Sequence, residues 1–170
     1  LISADLVYAS ILQQAGIKSF VNVGHSLGEL SAMKQAGYIT LQDVMKVYST
    51  KENIDAYKCS EGKMIAVFSS VDKCKKILNQ IDGYIDIANY NAYNQIVLSG
   101  DNSAIDEFVK YANEDGIKVS ELPLKYAFHS KKMSIAAQKL RMFGDKYLNI
   151  KKPVSLLLAN STRELYPYDG

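Results

Sequence analysis

Apolar residues crowd the first stretch of the chain on nearly every side, with Leu6, Val7, Ile11, Leu12 and Ala15 all within residues 2–15. That pattern predicts a buried helix, and Gly16 suits its C-terminal stop. Phe20-Val21-Asn22-Val23 is then a short β-branched run that reads as a buried strand. After residues 24–28, helical character resumes over 30–35 and ends before Gly37. A second helix starts at Thr40, where Thr40-Leu41-Gln42-Asp43 resembles a capping box with Asp in place of the usual Glu. Its apolar stripe is Leu41, Val44, Met45 and Tyr48, at i, i+3, i+4 and i+7.

From Gly62 the texture changes to short units. Residues 64–68 read as a strand, and Val71, Cys74, Ile77, Leu78 and Ile81 form a helical stripe. Two strands over 84–88 and 95–99 flank a turn at 89–94. Ile105, Phe108, Val109 and Ala112 form another stripe, stopped by Gly116, and 117–122 reads as a final strand. The order β-α-β-β-α-β is the split βαβ, or ferredoxin-like, arrangement. Beyond it, Met133, Ala136, Ala137, Leu140 and Phe143 give one more amphipathic helix, and 154–159 looks like a buried strand returning to the first sheet. The expected architecture is an α/β body over 1–61 and 129–170, with a small inserted α+β subdomain over 62–128.

Composition changes this picture little. With 170 residues, 48% of them apolar, the chain can bury one core and a satellite. Twenty Lys and Arg nearly balance 18 Asp and Glu, and the net charge of +2 is scattered, which argues against a nucleic-acid surface. No apolar run approaches the roughly 18 residues that span a bilayer, and no signal-peptide pattern opens the chain. Cys59 and Cys74 form no metal or redox spacing, so a cytoplasmic protein with reduced thiols and no bound metal or cofactor is expected. The chain opens at Leu1, inside an apolar helical pattern, and closes soon after the run at 154–159. Both ends are expected to be cuts in something longer.

The chemistry concentrates in Gly24-His25-Ser26-Leu27-Gly28. A Gly-x-Ser-x-Gly run between a strand and a helix marks a nucleophile elbow, in which the serine sits on a sharp turn at the positive end of the following helix. The Leu27 backbone N–H is then the natural first donor of an oxyanion hole. The competing reading is a glycine-rich turn whose serine caps a helix. A serine hydroxyl needs a base, and the chain has two histidines. The side chain of His25, adjacent to Ser26, should point elsewhere than the serine oxygen. His129 remains, in Tyr126-Ala127-Phe128-His129-Ser130, where the subdomain returns to the body. A lone histidine is equally read as a satisfied interior residue; the elbow is what favours a base.

Three motifs together carry a resemblance: Gly24-His-Ser-Leu-Gly-Glu-Leu-Ser-Ala32, Ala88-Asn-Tyr-Asn-Ala-Tyr-Asn-Gln-Ile-Val-Leu-Ser-Gly100 and Ala127-Phe-His-Ser-Lys-Lys-Met133. In this order they resemble the acyltransferase family of polyketide and fatty-acid synthesis, the malonyl-CoA:acyl-carrier-protein transacylases and their polyketide-synthase relatives. The resemblance implies an α/β-hydrolase-like body with a ferredoxin-like insertion. It also implies a ping-pong reaction in which Ser26 takes an acyl group from coenzyme A and the phosphopantetheine thiol of an acyl carrier protein removes it. His129 would be general base and acid, and His25, Lys51, Asn91 and Phe128 would line the substrate site. Asn91 is more readily read as a turn asparagine than as a site residue.

Lys51 is the main departure, because the family's arginine that grips a malonyl carboxylate falls at this position. Lysine keeps the charge but loses the planar two-pronged donor, which puts the dicarboxylate substrate in doubt; lysine here is also read as a solvated helix residue. Phe128 points the other way, since in the polyketide relatives a bulky residue before the histidine goes with malonyl. The resemblance leaves two alternatives beside the transferase: an acyl hydrolase that lets water attack the acyl-serine, and an inactive docking domain of a synthase. It further implies that a Gly-Gln-Gly segment with a second oxyanion donor, and the group that orients the histidine, lie outside these residues.

Overall fold

The computed structural model describes residues 2–50 and 58–166, apart from the Cys59 side chain. The chain divides into two compact units, Leu1–Thr50 with Met142–Gly170, and Lys51–Arg141.

In the first unit, α1 (Ile2–Gln14) leads to β1 (Val21–Val23), α2 (Gly28–Ala36) and α3 (Leu41–Ser49). Helix α6 (Ser134–Tyr147) enters this unit at its C-terminal end, and β6 (Leu156–Leu158) pairs parallel with β1, Val21 opposite Leu156 and Val23 opposite Leu158. The Asn22 amide crosses to the other strand, donating to Ser155 Oγ at 2.8 Å and to the Leu156 carbonyl at 3.1 Å. A core of Ala32, Ala36, Tyr38, Ile39, Val44 and Leu157 lies between α2, α3 and β6.

The structure corrects two expectations here. Helix α1 buries no residue, and Val7, Tyr8, Ile11 and Leu12 are exposed, because its main packing is one-sided, against α2. Strand β1 buries only Asn22, while Phe20, Val21 and Val23 are exposed. Among the described residues this sheet has two strands with α2 packed on it, which leaves alternate positions of β1 exposed.

The capping box at Thr40 forms as expected. The Thr40 hydroxyl accepts from the Asp43 N–H at 3.1 Å, and the Asp43 carboxylate accepts from the Thr40 N–H at 3.0 Å. The predicted stripe is rotated, however. Asp43, Val44 and Val47 are buried, whereas Leu41, Met45 and Tyr48 face outward, because the cap draws Asp43 inward. Hydrogen bonds from the Thr40 hydroxyl and backbone hold the Asp43 carboxyl below its ordinary value of 3.8. A depressed carboxylate contributes stability above its unfolded value and loses it as pH falls through the folded one. Thr40→Ala is therefore expected to cost about 1 kcal/mol near neutral pH, with the difference from wild type narrowing below roughly pH 4. Urea midpoints at both pH values check this, and a gap that stays constant would refute the Asp43 contribution.

The second unit follows the predicted order: β2 (Lys63–Phe68), α4 (Val71–Leu78), β3 (Ile85–Ala92), β4 (Gln95–Gly100), α5 (Asn102–Glu114) and β5 (Lys118–Glu121). The strands form one antiparallel sheet in the order β3-β4-β2-β5. Ile65, Val67, Ile96 and Leu98 meet Cys74, Ile77, Ile105, Phe108 and Ala112 in its core. The two units divide at 50/51 and 141/142, whereas the sequence places the change at 61/62 and 128/129. Residues 129–133 group with the second unit because three tethers bind them there, described below. Strand β3 also runs further than expected, through Ala92, and only Tyr93 and Asn94 remain for the turn.

Candidate functional site

Strand β1 ends at Val23, and the chain must reverse into α2 within four residues. Gly24 makes this possible. A Cβ there would stand 2.2 Å from the carbonyl carbon and oxygen of Gly28 and 2.4 Å from the Glu29 nitrogen, so backbone occupies the space a side chain would need. Gly28 is different, since a Cβ there meets nothing within 4 Å among the described residues.

Between them Ser26 takes φ +55, a left-handed conformation that costs a non-glycine residue about 1 kcal/mol or more. The turn closes through the Gly28 N–H to the His25 carbonyl and the Glu29 N–H to the Ser26 carbonyl, both at 3.0 Å, and the Leu30 N–H to the Leu27 carbonyl at 3.2 Å. The Leu27 N–H takes part in none of these bonds. The helix N-cap falls on Leu27 rather than Ser26, which departs from the simple capping alternative. Ser26 is half-buried and His25 exposed.

Two residues outside the sequence expectations frame this turn. Asn160, two positions after β6, donates through its side-chain amide to the Gly24 carbonyl. Its backbone N–H donates to Glu29 Oε1 at 3.1 Å. Glu29 lies in the first turn of α2, where a carboxylate complements the helix dipole. Nearby, burial first and the Glu29 charge second push the Tyr166 hydroxyl above its ordinary value. The signal for Asn160 is the parallel pairing of β1 with β6. Parallel strands end on the same side, which brings the residues following each of them together.

In the second unit, His129 also adopts a left-handed backbone, with φ +57. Among the described non-glycine residues only Ser26, His129 and Arg163 have positive φ, so two of the three are the residues that motif reading singled out. The segment after His129 is held by three tethers. Ser60 Oγ donates to the Lys132 carbonyl at 2.9 Å, the Lys131 N–H donates to Tyr84 Oη at 2.7 Å, and Lys132 Nζ pairs with Asp101. The Lys132 hydrogen bond is the main reason that Asp101 lies below the ordinary carboxylate value. Ala127 is fully buried, and its N–H donates to the Ser60 carbonyl at 2.8 Å. His129 itself is exposed. Phe128 is half-buried, edge-on to Tyr126 with ring centroids 5.9 Å apart.

Asn91 sits in β3 rather than in a turn. It occupies an irregularity where the pairing skips from Tyr90–Ile96 to Ala92–Gln95, the kind of bulge that re-aims side chains. Its side chain is exposed. Lys51 lies outside the described residues. Cys74 is fully buried, and burial pushes its thiol pKa up, which removes it as a competing nucleophile. No group of His, Cys, Asp or Glu among the described residues has metal-holding geometry, and no described helix is long and apolar enough to cross a membrane.

A family model for the acyl transferase domain matches residues 1–163. The chain is 32% identical over 133 residues to a pikromycin polyketide synthase component of Streptomyces venezuelae, which covers 78% of this chain and 8% of that protein. The malonyl CoA-acyl carrier protein transacylase of Clostridium perfringens has a TM-score of 0.86 at 28% identity, covering 99% of this chain and 55% of that one. The acyl-carrier-protein S-malonyltransferase of Burkholderia pseudomallei has a TM-score of 0.87 at 26% identity, over 97% of this chain and 56% of that one. The chain thus spans under a tenth of the synthase and little more than half of the two solved transferases.

Proposed function

Since the chain belongs to the acyl transferase domain family, we propose that it carries the nucleophile and base of a cytoplasmic acyltransferase of polyketide or fatty-acid biosynthesis. The acyl group, malonyl by preference, passes from coenzyme A through an acyl-serine at Ser26 to the phosphopantetheine thiol of an acyl carrier protein. The observation that carries this reading is the strained Ser26 at the start of α2, with the Leu27 N–H outside the turn's hydrogen bonds.

His129 takes the Ser26 proton as the serine oxygen attacks the thioester carbonyl. The Leu27 N–H and the α2 N-terminus stabilise the resulting oxyanion. Collapse breaks the C–S bond, and the proton on His129 passes to the departing coenzyme A sulfur. The carrier thiol then loses its proton to His129, attacks the acyl-serine and leaves Ser26 protonated again. Phe128 favours malonyl by crowding an α-methyl branch, while Lys51 offers the malonyl carboxylate a point charge rather than a two-pronged grip. His25 and Asn91 complete the substrate lining. The architecture assigned to this reading is an α/β-hydrolase-like body with a ferredoxin-like insertion. The strand order β3-β4-β2-β5 supports the latter.

Incubating the full-length protein with malonyl-CoA and then with carrier protein tests the proposal by intact mass. A malonyl adduct on Ser26 that moves to the carrier is the expected result. Release of free malonate without carrier loading would replace the transferase with a hydrolase. The absence of any acyl adduct would leave only a docking domain.

A further inference from the structure

A serine held at φ +55 relaxes unless its surroundings hold it there, and the turn's bonds from the Gly28, Glu29 and Leu30 N–H groups run toward α2. From β6, Asn160 spans the whole turn. Its amide holds the carbonyl of Gly24, where the chain enters, and its backbone N–H holds the carboxylate of Glu29, where the chain leaves. Gly24 is also the point at which backbone packs directly on the Gly28 carbonyl, so fixing its peptide fixes the pitch of the turn.

We propose that Asn160 is a positioning residue for the Ser26 nucleophile, clamping the turn from β6. The inference rests on the reading of Ser26 as nucleophile. Asn160 touches no reacting atom in this account. Its side chain keeps the Ser26 oxygen and the Leu27 N–H in fixed relation, so its loss lowers the rate of acylation and leaves substrate affinity in place. The Glu29 contact uses the Asn160 backbone, so it survives side-chain replacement and isolates the amide's share.

The test uses the full-length protein, with malonyl-CoA as the acyl donor. Asn160→Ala and the near-isosteric Asn160→Asp both remove the donor to Gly24, and the second preserves shape if the first folds poorly. Both variants are expected to acylate Ser26 about 10- to 100-fold more slowly in a single turnover, with half-saturating malonyl-CoA within about threefold of wild type. Hydrogen exchange should quicken over residues 24–30 and stay unchanged over 41–49 of the same unit, which a general loss of stability would not produce. Acylation rates within threefold of wild type in both variants would overturn the proposal. So would unchanged exchange over 24–30. If wild-type protein forms no acyl-Ser26, the nucleophile reading itself falls, and that shows in the wild-type sample before any variant is compared.

Discussion

Replacing Ser26 by Ala in the full-length protein is expected to abolish acyl labelling from malonyl-CoA, with transfer to carrier protein falling by about 10⁴-fold or more. Cys74 is buried with a raised thiol pKa and so is no ready competitor for the acyl group. Ser26→Gly is the informative companion. It removes the same oxygen but also the side chain that makes φ +55 costly. Its thermal midpoint is expected to equal or exceed that of wild type while labelling is lost. Labelling that persists in either variant would refute Ser26 as the nucleophile. A large drop in the midpoint of Ser26→Gly would show that the turn is held by the serine side chain rather than strained by it.

The second large effect separates the two glycines of one motif. Gly24→Ala forces a methyl group to within 2.2 Å of backbone that has no room to move, so it should destabilise the first unit by on the order of 3 kcal/mol and disable labelling. Gly28→Ala places the same methyl where no described atom lies within 4 Å, at the first residue of α2, and should stabilise by about 0.5–1 kcal/mol. Urea midpoints at constant slope distinguish the two. Similar losses in both variants would mean that the motif needs its glycines for a common reason, against the geometry.

Much of this was legible beforehand. The second unit's order of elements follows from its periodicities: stripes such as Ile105, Phe108 and Ala112 have one helical face, and every strand lies between turn signals. Its interior agrees because a sheet covered by two helices buries the residues that the pattern marks. The first unit was less legible. Its apolar α1, β1 and three of the four residues of the α3 stripe remain exposed, because burial depends on what packs against an element and not on its own composition. The capping box shows the same limit. Four residues make it legible, yet it turns Asp43 inward and Leu41 outward, which no stripe count anticipates.

Local sequence by itself marked the tight turn at Gly24–Gly28, the proposed nucleophile Ser26 and base His129, and the order of elements around them. It could do so because a tight turn and a nucleophile both demand particular residues at adjacent positions. Tertiary structure decided what holds those residues. The tethers on the His129 turn come from Ser60, Tyr84 and Asp101, and the clamp on the Ser26 turn comes from Asn160, more than 130 positions away along the chain. Such partners leave no local trace, because their meeting depends on strand pairing and helix packing. Folding supplied the Asn160 clamp by laying β6 parallel to β1.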